Sequence, residues 1–223
     1  MRRTRIAVPE WGATEVELVV RAARRAPVCG TGHPWVLEPH GNVVSLYELP
    51  HHSLHDRLGF DRLLSCGAVL HNVHTALRAF GWHVEVEFPH DVARPDLLAV
   101  LTADDRQAPT AVEVGDYEAI EMPAAHGRID LPALAVSNHW AGVRLLPVKD
   151  DASLGALGLP SGSGALLVLT TLESRQDVLL AGAATQAARL RARALGMATI
   201  PVHRPLRLPD GVSGHLWAVL QVR

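Results

Sequence analysis

The sequence has few cysteines, little excess charge and no long hydrophobic run, and each of these absences excludes a class of protein. Two cysteines in 223 residues are too few for a disulfide framework, and Cys29 and Cys66 are too widely spaced for a zinc ribbon. They favour reduced thiols in a cytoplasm. A formal net charge of -2 removes the usual reason to expect a nucleic acid or a membrane surface as a partner.

Several sequence motifs are also absent. No apolar run approaches the roughly 18 residues that a membrane-spanning helix needs. The basic first residues are followed by an apolar stretch that Pro9 cuts short, unlike a signal peptide. The G-x-S-x-G motif of hydrolases and the G-K-[ST] end of a phosphate-binding loop are missing. We therefore expect a soluble, cytoplasmic protein that binds neither nucleic acid nor membrane.

Periodic apolar residues predict the regular elements. Steps of three and four residues indicate helices over 14–25, 63–80 and about 174–195, the last opened by a capping box at Ser174 and ended by Gly196. Strands are predicted over residues 35–37, 43–49, 82–88, 97–101, 143–148, 165–171, 198–202 and 216–222. This mixed order, with 48% hydrophobic residues, predicts one α+β domain over residues 1–223.

Two segments between these elements lack clear periodicity. Residues 106–164 contain several prolines and only fragments of a pattern. Within them, the Gly- and Ser-rich stretch 152–164 is predicted to be a flexible loop. Residues 24–35 carry two prolines, two glycines and a tryptophan after paired arginines, which suits an anionic ligand group. An ordinary helix-to-strand turn is the alternative for this loop.

Thirteen histidines raise the question of a metal site. His71 and His74 lie three residues apart on the second predicted helix, and His51, His52 and His55 precede it. No acidic or thiolate partner has a recognisable ligand spacing, and both helical histidines lie off the apolar stripe, on a face predicted to be solvated or to line a cleft. We predict no metal site, with a metal-dependent enzyme as the residual alternative.

Three stretches together resemble the Acg family of nitroreductase-like flavoproteins. They are Arg25-Ala26-Pro27 with Pro34-Trp35, residues 63–70 with the sequence LLSCGAVL, and the closing part that contains Leu167-Val168-Leu169-Thr170 and Leu195-Gly196-Met197-Ala198-Thr199. The resemblance covers roughly residues 14–110 and 165–223. It implies a nitroreductase-like fold, in which helices flank a mixed central sheet, and a homodimer, because this fold normally builds its flavin site between subunits.

The same resemblance implies a cofactor and an activity. Bound FMN would accept hydride from NAD(P)H and pass it to an electrophilic substrate of unknown identity. Arg25 would lie near the phosphate, the following loop beside the ring, and the Gly196 turn on the other side of the ring. The implied cofactor-binding residues are Arg24, Arg25, Pro27, Val28, Thr31, His33 and Gly196. The sequence identifies no catalytic residue.

Three departures from the family pattern favour an alternative function. Val28, Thr31 and His33 stand where family members have serine, asparagine and glutamine. The acidic segment 114–118 stands where a basic one is expected, and residues 106–164 are divergent and short, as if part of a lid were missing. The alternative is a degenerate member that binds no flavin or only sequesters it, and acts as a regulatory or partner-binding protein.

Overall fold

The computed structural model describes residues 11–29, 33–49, 56, 58–123, 130–135, 138–202, 208 and 211–223. Its elements are, in chain order, α1 (Ala13–Arg24), β1 (Trp35–His40), β2 (Val43–Glu48), α2 (Phe60–Ala79), β3 (Glu85–Glu87), β4 (Leu97–Thr102), α3 (Ala111–Glu118), α4 (Leu131–Ala135), β5 (Val143–Val148), α5 (Asp151–Ala156), β6 (Gly164–Thr170), α6 (Arg175–Ala194), β7 (Thr199–Pro201) and β8 (His215–Val222). The predicted α+β class is confirmed.

The three predicted helices and eight predicted strands are present, and local signals explain their limits. Ser174 caps α6 as predicted, because its Oγ accepts a hydrogen bond from the Asp177 N–H at 3.1 Å. Gly196 follows α6 with a φ of 73°, a left-handed conformation that ends a helix and favours glycine. Strand β3 is shorter than its pattern predicted and covers three residues.

The strands form two antiparallel four-stranded sheets with the same order of pairing. The first sheet runs β1-β2-β4-β3 and the second β5-β6-β8-β7. A register shift interrupts the inner pair of each sheet, at Leu46/Tyr47 in the first and at Val168/Leu169 in the second. The prediction of one mixed central sheet is therefore wrong for the described part of the chain, because the strands of each half pair only with one another.

The chain thus repeats one arrangement twice: two strands, a long helix, and two further strands. The two long helices, α2 and α6, each have 20 residues and pack against each other at the centre of the molecule. A core of buried apolar residues extends across both halves, and a smaller one lies beneath α5. No helix among the described residues is long and apolar enough to cross a membrane.

Two glycines allow α2 and α6 to come this close. Gly67 and Gly182 are both the eighth residue of their helices. A Cβ atom on Gly67 would lie 2.0 Å from the Leu179 carbonyl oxygen, and one on Gly182 would lie 2.2 Å from that of Leu64. Since these neighbours are backbone atoms, they cannot rotate aside, and only glycine fits at either position.

The segment from 106 to 164 contains helices that the sequence pattern did not reveal. The predicted loop over 152–164 is wrong for its first residues, which belong to α5, and Gly164 already lies in β6. Asp150 caps α5 by accepting a hydrogen bond from the Ser153 N–H at 2.8 Å, and Leu154 is fully buried. One cap and one buried leucine are too little periodicity to read from a six-residue helix.

Replacing Gly182 by alanine should destabilise the fold by about 3 kcal/mol, because the added methyl group meets the backbone of α2. Denaturant unfolding followed by circular dichroism measures this loss. Gly115→Ala is the matched control, since a Cβ on this α3 residue meets nothing within 4 Å. We expect that control to be neutral or stabilising by up to about 1 kcal/mol. Equal midpoints for the two variants would contradict the close crossing.

Candidate functional site

A cavity of 660 Å³ lies where the two halves of the chain meet. Its walls come from the loop after α1, from facing sides of α2 and α6, and from β7 and β8. The apolar part of this lining includes Pro27, Val28, Leu64, Ala68, Trp217 and Val219. Pockets that hold small organic ligands have volumes of about 300–1,000 Å³, so the cavity is large enough for one.

A chain of hydrogen bonds fixes the orientation of Gln186 in the cavity wall. Asn72 Nδ2 donates to the Ala22 carbonyl oxygen at 2.8 Å, and Asn72 Oδ1 accepts from Gln186 Nε2 at 2.9 Å. Because a carbonyl oxygen can only accept a hydrogen bond, these two hydrogen bonds determine which amide atom is the nitrogen and which is the oxygen in both Asn72 and Gln186. Gln186 Oε1 is then left as a buried acceptor with no partner among the described residues.

Arg189 follows Gln186 by three residues on α6 and lines the same cavity. Its Nε atom is buried and has no hydrogen-bond partner among the residues that the structure describes. Burial lowers the pKa of Arg189, and the positive charge of Arg193 lowers it further. A partly buried guanidinium and an unpartnered amide oxygen, three residues apart on one helix, suit a ligand that carries an acceptor or an anion as well as a donor.

Cys29 lies in the cavity wall between two charged residues. Its backbone N–H donates to Ser65 Oγ at 2.9 Å, which attaches the loop after α1 to α2. Burial raises the pKa of the Cys29 thiol, the carboxylate of Asp61 raises it further, and Arg189 opposes them. Since Asp61 and Arg189 both line the cavity, one part of its wall is acidic and another is basic.

The implied cofactor residues divide between the cavity and the surface. Pro27 and Val28 line the cavity. Arg24 and Arg25 are exposed where α1 ends, and Arg25 Nη2 lies 2.9 Å from a carboxylate oxygen of Glu121.

The other three implied residues lie elsewhere. Thr31 falls outside the described residues. His33 is exposed, with its ring edge-on to Trp35 at 5.7 Å between centroids. Gly196 ends α6 and, like His33, does not line the cavity. The loop after α1 therefore contributes to the candidate site, whereas its arginines face the surface.

The other half of the chain has corresponding polar positions on α2. Both long helices have 20 residues, so Gln186 and Arg189, the twelfth and fifteenth residues of α6, correspond to His71 and His74 on α2. In the same way, the residues just before β5 correspond to the loop just before β1. The repeat thus contains a second position, beside His71 and His74 of α2, that corresponds to the cavity beside Gln186 and Arg189 of α6.

That second place is filled by side chains. Trp140 Nε1 donates to His71 Nδ1 at 3.3 Å, and Thr75 Oγ1 lies 3.3 Å from His71 Nε2. The His139 ring stacks on His74 with 4.9 Å between centroids and lies 4.7 Å from Trp140. Both ring nitrogens of His71 are therefore within hydrogen-bonding distance of other side chains, and the rings of His139 and Trp140 pack beside His71 and His74.

The prediction that His71 and His74 face solvent or a cleft is wrong. His71 is buried and His74 is half-buried, because α2 is covered by other elements on nearly all sides and not on its apolar stripe alone. Among the described residues, no group of three or more His, Cys, Asp or Glu side chains could hold a metal ion.

The acidic segment 114–118 belongs to α3 and lies outside the cavity lining. Just before it, Glu113 Oε1 accepts a hydrogen bond from Arg78 Nε at 2.7 Å. Asp116 lies 3.6 Å from Arg191, and burial raises the pKa of its carboxyl group to about 6. These carboxylates face arginines on α2 and α6 instead of the ligand cavity.

A smaller cavity of 370 Å³ lies between the β3–β4 loop and the start of α6. Its charged residues are already paired within the protein. Arg175 binds the buried carboxylate of Glu48, and Asp91 Oδ2 accepts from Arg94 Nε at 3.0 Å. The larger cavity is the better candidate site, because two buried polar atoms of its lining residues, Gln186 Oε1 and Arg189 Nε, have no hydrogen-bond partner among the described residues.

Gln186, Arg189 and Trp217 escape prediction from the sequence, although they define the site. The available signal was a glutamine and an arginine three residues apart on an otherwise alanine-rich helix. Compared with models of known protein families and with curated proteins, the chain gives no match. The geometry of the cavity is therefore the basis for assigning a function.

Lowering the pH below about 6.5 should destabilise the protein, because the core holds His71 and His74 neutral. Burial is the main cause of both lowered pKa values, to about 3 for His74, and His139 adds repulsion. The unfolded chain binds protons from about pH 6.5, and the folded chain does not. This contribution to the free energy of unfolding is fully present above pH 6.5. It decreases as the pH falls, by about 1.4 kcal/mol per pH unit for each of the two histidines.

Denaturant unfolding between neutral and mildly acidic pH measures this dependence. His74→Phe should reduce its slope, whereas His40→Gln, at an exposed strand end, should leave the slope unchanged. Below about pH 6, the raised pKa of Asp116 makes the folded protein more stable as the pH falls. This effect is common to the wild type and both variants, so it cancels in the comparison. An unchanged slope in His74→Phe would show that the cluster does not limit acid stability.

We expect iodoacetamide to modify Cys29 slowly and Cys66 not at all in the folded protein. Cys29 lines the cavity, but its raised pKa keeps the thiolate scarce. Cys66 is fully buried and its thiol donates to the Pro34 carbonyl oxygen at 3.5 Å. Mass spectrometry should show one adduct, which Cys29→Ser abolishes. Equal modification of both cysteines would contradict the arrangement.

Proposed function

We propose that the protein is a nitroreductase-like flavoprotein of the Acg type, an FMN-dependent NAD(P)H oxidoreductase whose cofactor site is the cavity between the two halves. One observation carries the proposal: two unpartnered buried polar atoms, Gln186 Oε1 and Arg189 Nε, occur together on a helix that lines an otherwise largely apolar cavity. A flavin is a flat heterocycle with N–H and carbonyl groups on its edge and, in FMN, a phosphate. It offers partners to both atoms.

The residues present fit such a group. Pro27 and Val28 on the loop, with Leu64 on α2, provide apolar surface for a ring system. Thr185 and Gln186 add hydroxyl and amide groups that can bond to the ring edge. The volume of 660 Å³ lies within the range of about 300–1,000 Å³ for small-molecule sites.

When bound, FMN would supply the redox chemistry by accepting hydride from NAD(P)H and donating it to an electrophilic substrate. The chain's own residues would bind and orient it. Gln186, held by Asn72, would place its buried, unpartnered amide oxygen in the cavity wall, and Arg189 would add positive charge to that wall. Trp217 covers part of the cavity and is itself fixed by the hydrogen bond from its Nε1 to Thr170 Oγ1 at 2.7 Å.

The position beside His71, which other side chains occupy, also supports this choice of ligand. There, the indole N–H of Trp140 donates to His71, the residue that corresponds to Gln186. An aromatic heterocycle with an N–H thus occupies, in one half, the place that the cavity leaves for a ligand in the other. This favours a flat ring with an N–H donor over a flexible aliphatic ligand.

A second candidate is a degenerate family member that sequesters flavin, or binds another ligand, and acts in regulation or partner binding. Two observations favour it. Arg25, implied to lie near the phosphate, pairs with Glu121 at 2.9 Å, and Asp61 places a carboxylate in the cavity wall. The homodimer and the cytoplasmic location also remain proposals. A second subunit is not needed to form the cavity, since both halves of one chain contribute to it.

Titration of the purified protein with FMN, followed by visible absorption and flavin fluorescence, tests the proposal. We expect binding that Gln186→Leu weakens about three- to tenfold, since a buried acceptor loses its partner. Gln176→Leu, on the same helix but outside this cavity, should bind FMN like the wild type. Bound FMN should also protect Cys29 from iodoacetamide.

The outcomes separate the two candidates. Binding followed by reduction of the flavin with NADH or NADPH supports the oxidoreductase. Binding without reduction supports the sequestering protein. A protein that takes up no FMN, and whose Cys29 reacts equally with and without it, overturns the flavin site altogether.

A further inference from the structure

We infer that Arg189 binds the anionic group of the ligand, so that the cavity selects a phosphorylated heterocycle over its neutral form. This inference rests on the proposed function and assigns to Arg189 the role that family resemblance gives to Arg25. It makes Arg189 the residue that determines whether FMN or riboflavin is bound.

Ion pairs engage two other arginines of α6, but not Arg189, among the described residues. Arg175 pairs with Glu48, and Arg191 lies 3.6 Å from Asp116. Arg189, which lines the cavity, has no carboxylate within 4.0 Å among the described residues. A partly buried cation without a counter-ion is unfavourable, and an anion from a ligand would supply the missing partner.

The charge near Arg189 favours an anion at this part of the cavity. Arg193 is a further positive charge close enough to affect Arg189, and its Nη1 lies 3.5 Å from the Ala119 carbonyl oxygen. The anionic end of a ligand would therefore be directed toward Arg189, and its ring toward the apolar walls.

Arg25, by contrast, already has a carboxylate partner on the surface. Its guanidinium lies 2.9 Å from Glu121, which also lies 3.6 Å from Arg21, and the arginine side chains of both pairs are exposed. Exposed pairs of this kind contribute little to stability. Arg25 nevertheless has its carboxylate partner on the surface and does not line the cavity.

The fold itself does not need a cation at the position of Arg189. In the other half, the corresponding position on α2 is His74, which packs as a ring against His139 at 4.9 Å. A side chain without a permanent charge thus satisfies packing at the same place in the repeat. Packing in this repeat therefore does not by itself account for the guanidinium of Arg189.

Calorimetric titration with FMN and with riboflavin tests this assignment in the wild type, in Arg189→Met and in Arg94→Met. The control, Arg94, is an exposed arginine that pairs with Asp91 and does not line the cavity. We expect the wild type and Arg94→Met to prefer FMN about tenfold or more. Arg189→Met should lose that preference with less than about a threefold change for riboflavin. Arg189→Lys should keep part of it.

A preference for FMN that survives in Arg189→Met overturns the inference and leaves the flavin site intact. If neither flavin binds to the wild type, the proposed function fails, and inorganic phosphate then tests the anion site alone. Thermal stabilisation by millimolar phosphate that Arg189→Met abolishes supports the site, and equal or absent stabilisation overturns it. Circular dichroism confirms folding, and Arg189→Gln replaces the Met variant if that variant is unfolded.

Discussion

The backbone contact between α2 and α6 is the constraint on which the rest of the structure depends. Gly67 and Gly182 meet the backbone of the opposite helix, so the spacing of the two halves is set by main-chain atoms instead of adjustable side chains. The same contact borders the candidate site, because Gly182 lines the cavity. Any residue larger than glycine at this crossing would move the halves apart and change the shape of the cavity.

The two halves share one connectivity and use it differently. In one, His71 and its neighbour Trp140 satisfy each other, and the corresponding space is closed. In the other, Gln186 and Arg189 keep polar atoms that nothing in the described chain satisfies. Each buried polar group without a partner costs about 1–3 kcal/mol, which a bound ligand can recover. One half therefore contributes core stability, and the other holds a potential binding site at some cost in stability.

Much of the fold could be predicted from local pattern, and little of the site could. The 20-residue α6 follows from its apolar period and from the cap at Ser174, since both signals lie within one turn or one face of a helix. The burial of His71 could not be predicted, because it depends on a loop that arrives from 69 residues away at Trp140. Short α5 was missed because six residues carry too little periodicity.

The order of residues alone was enough for α1, α2 and α6, the strands, the α+β class and the absence of a disulfide framework, since each depends on composition or on spacing along one element. Which polar groups meet was settled only in the folded chain. Gln186 bonds Asn72 across 114 residues, and Arg25 pairs with Glu121 on the surface, whereas Arg189 lines the cavity. Hydrogen bonds and ion pairs act over about 3–4 Å. They therefore depend on which distant segments the helix crossing brings together, and a pattern along the sequence does not contain that information.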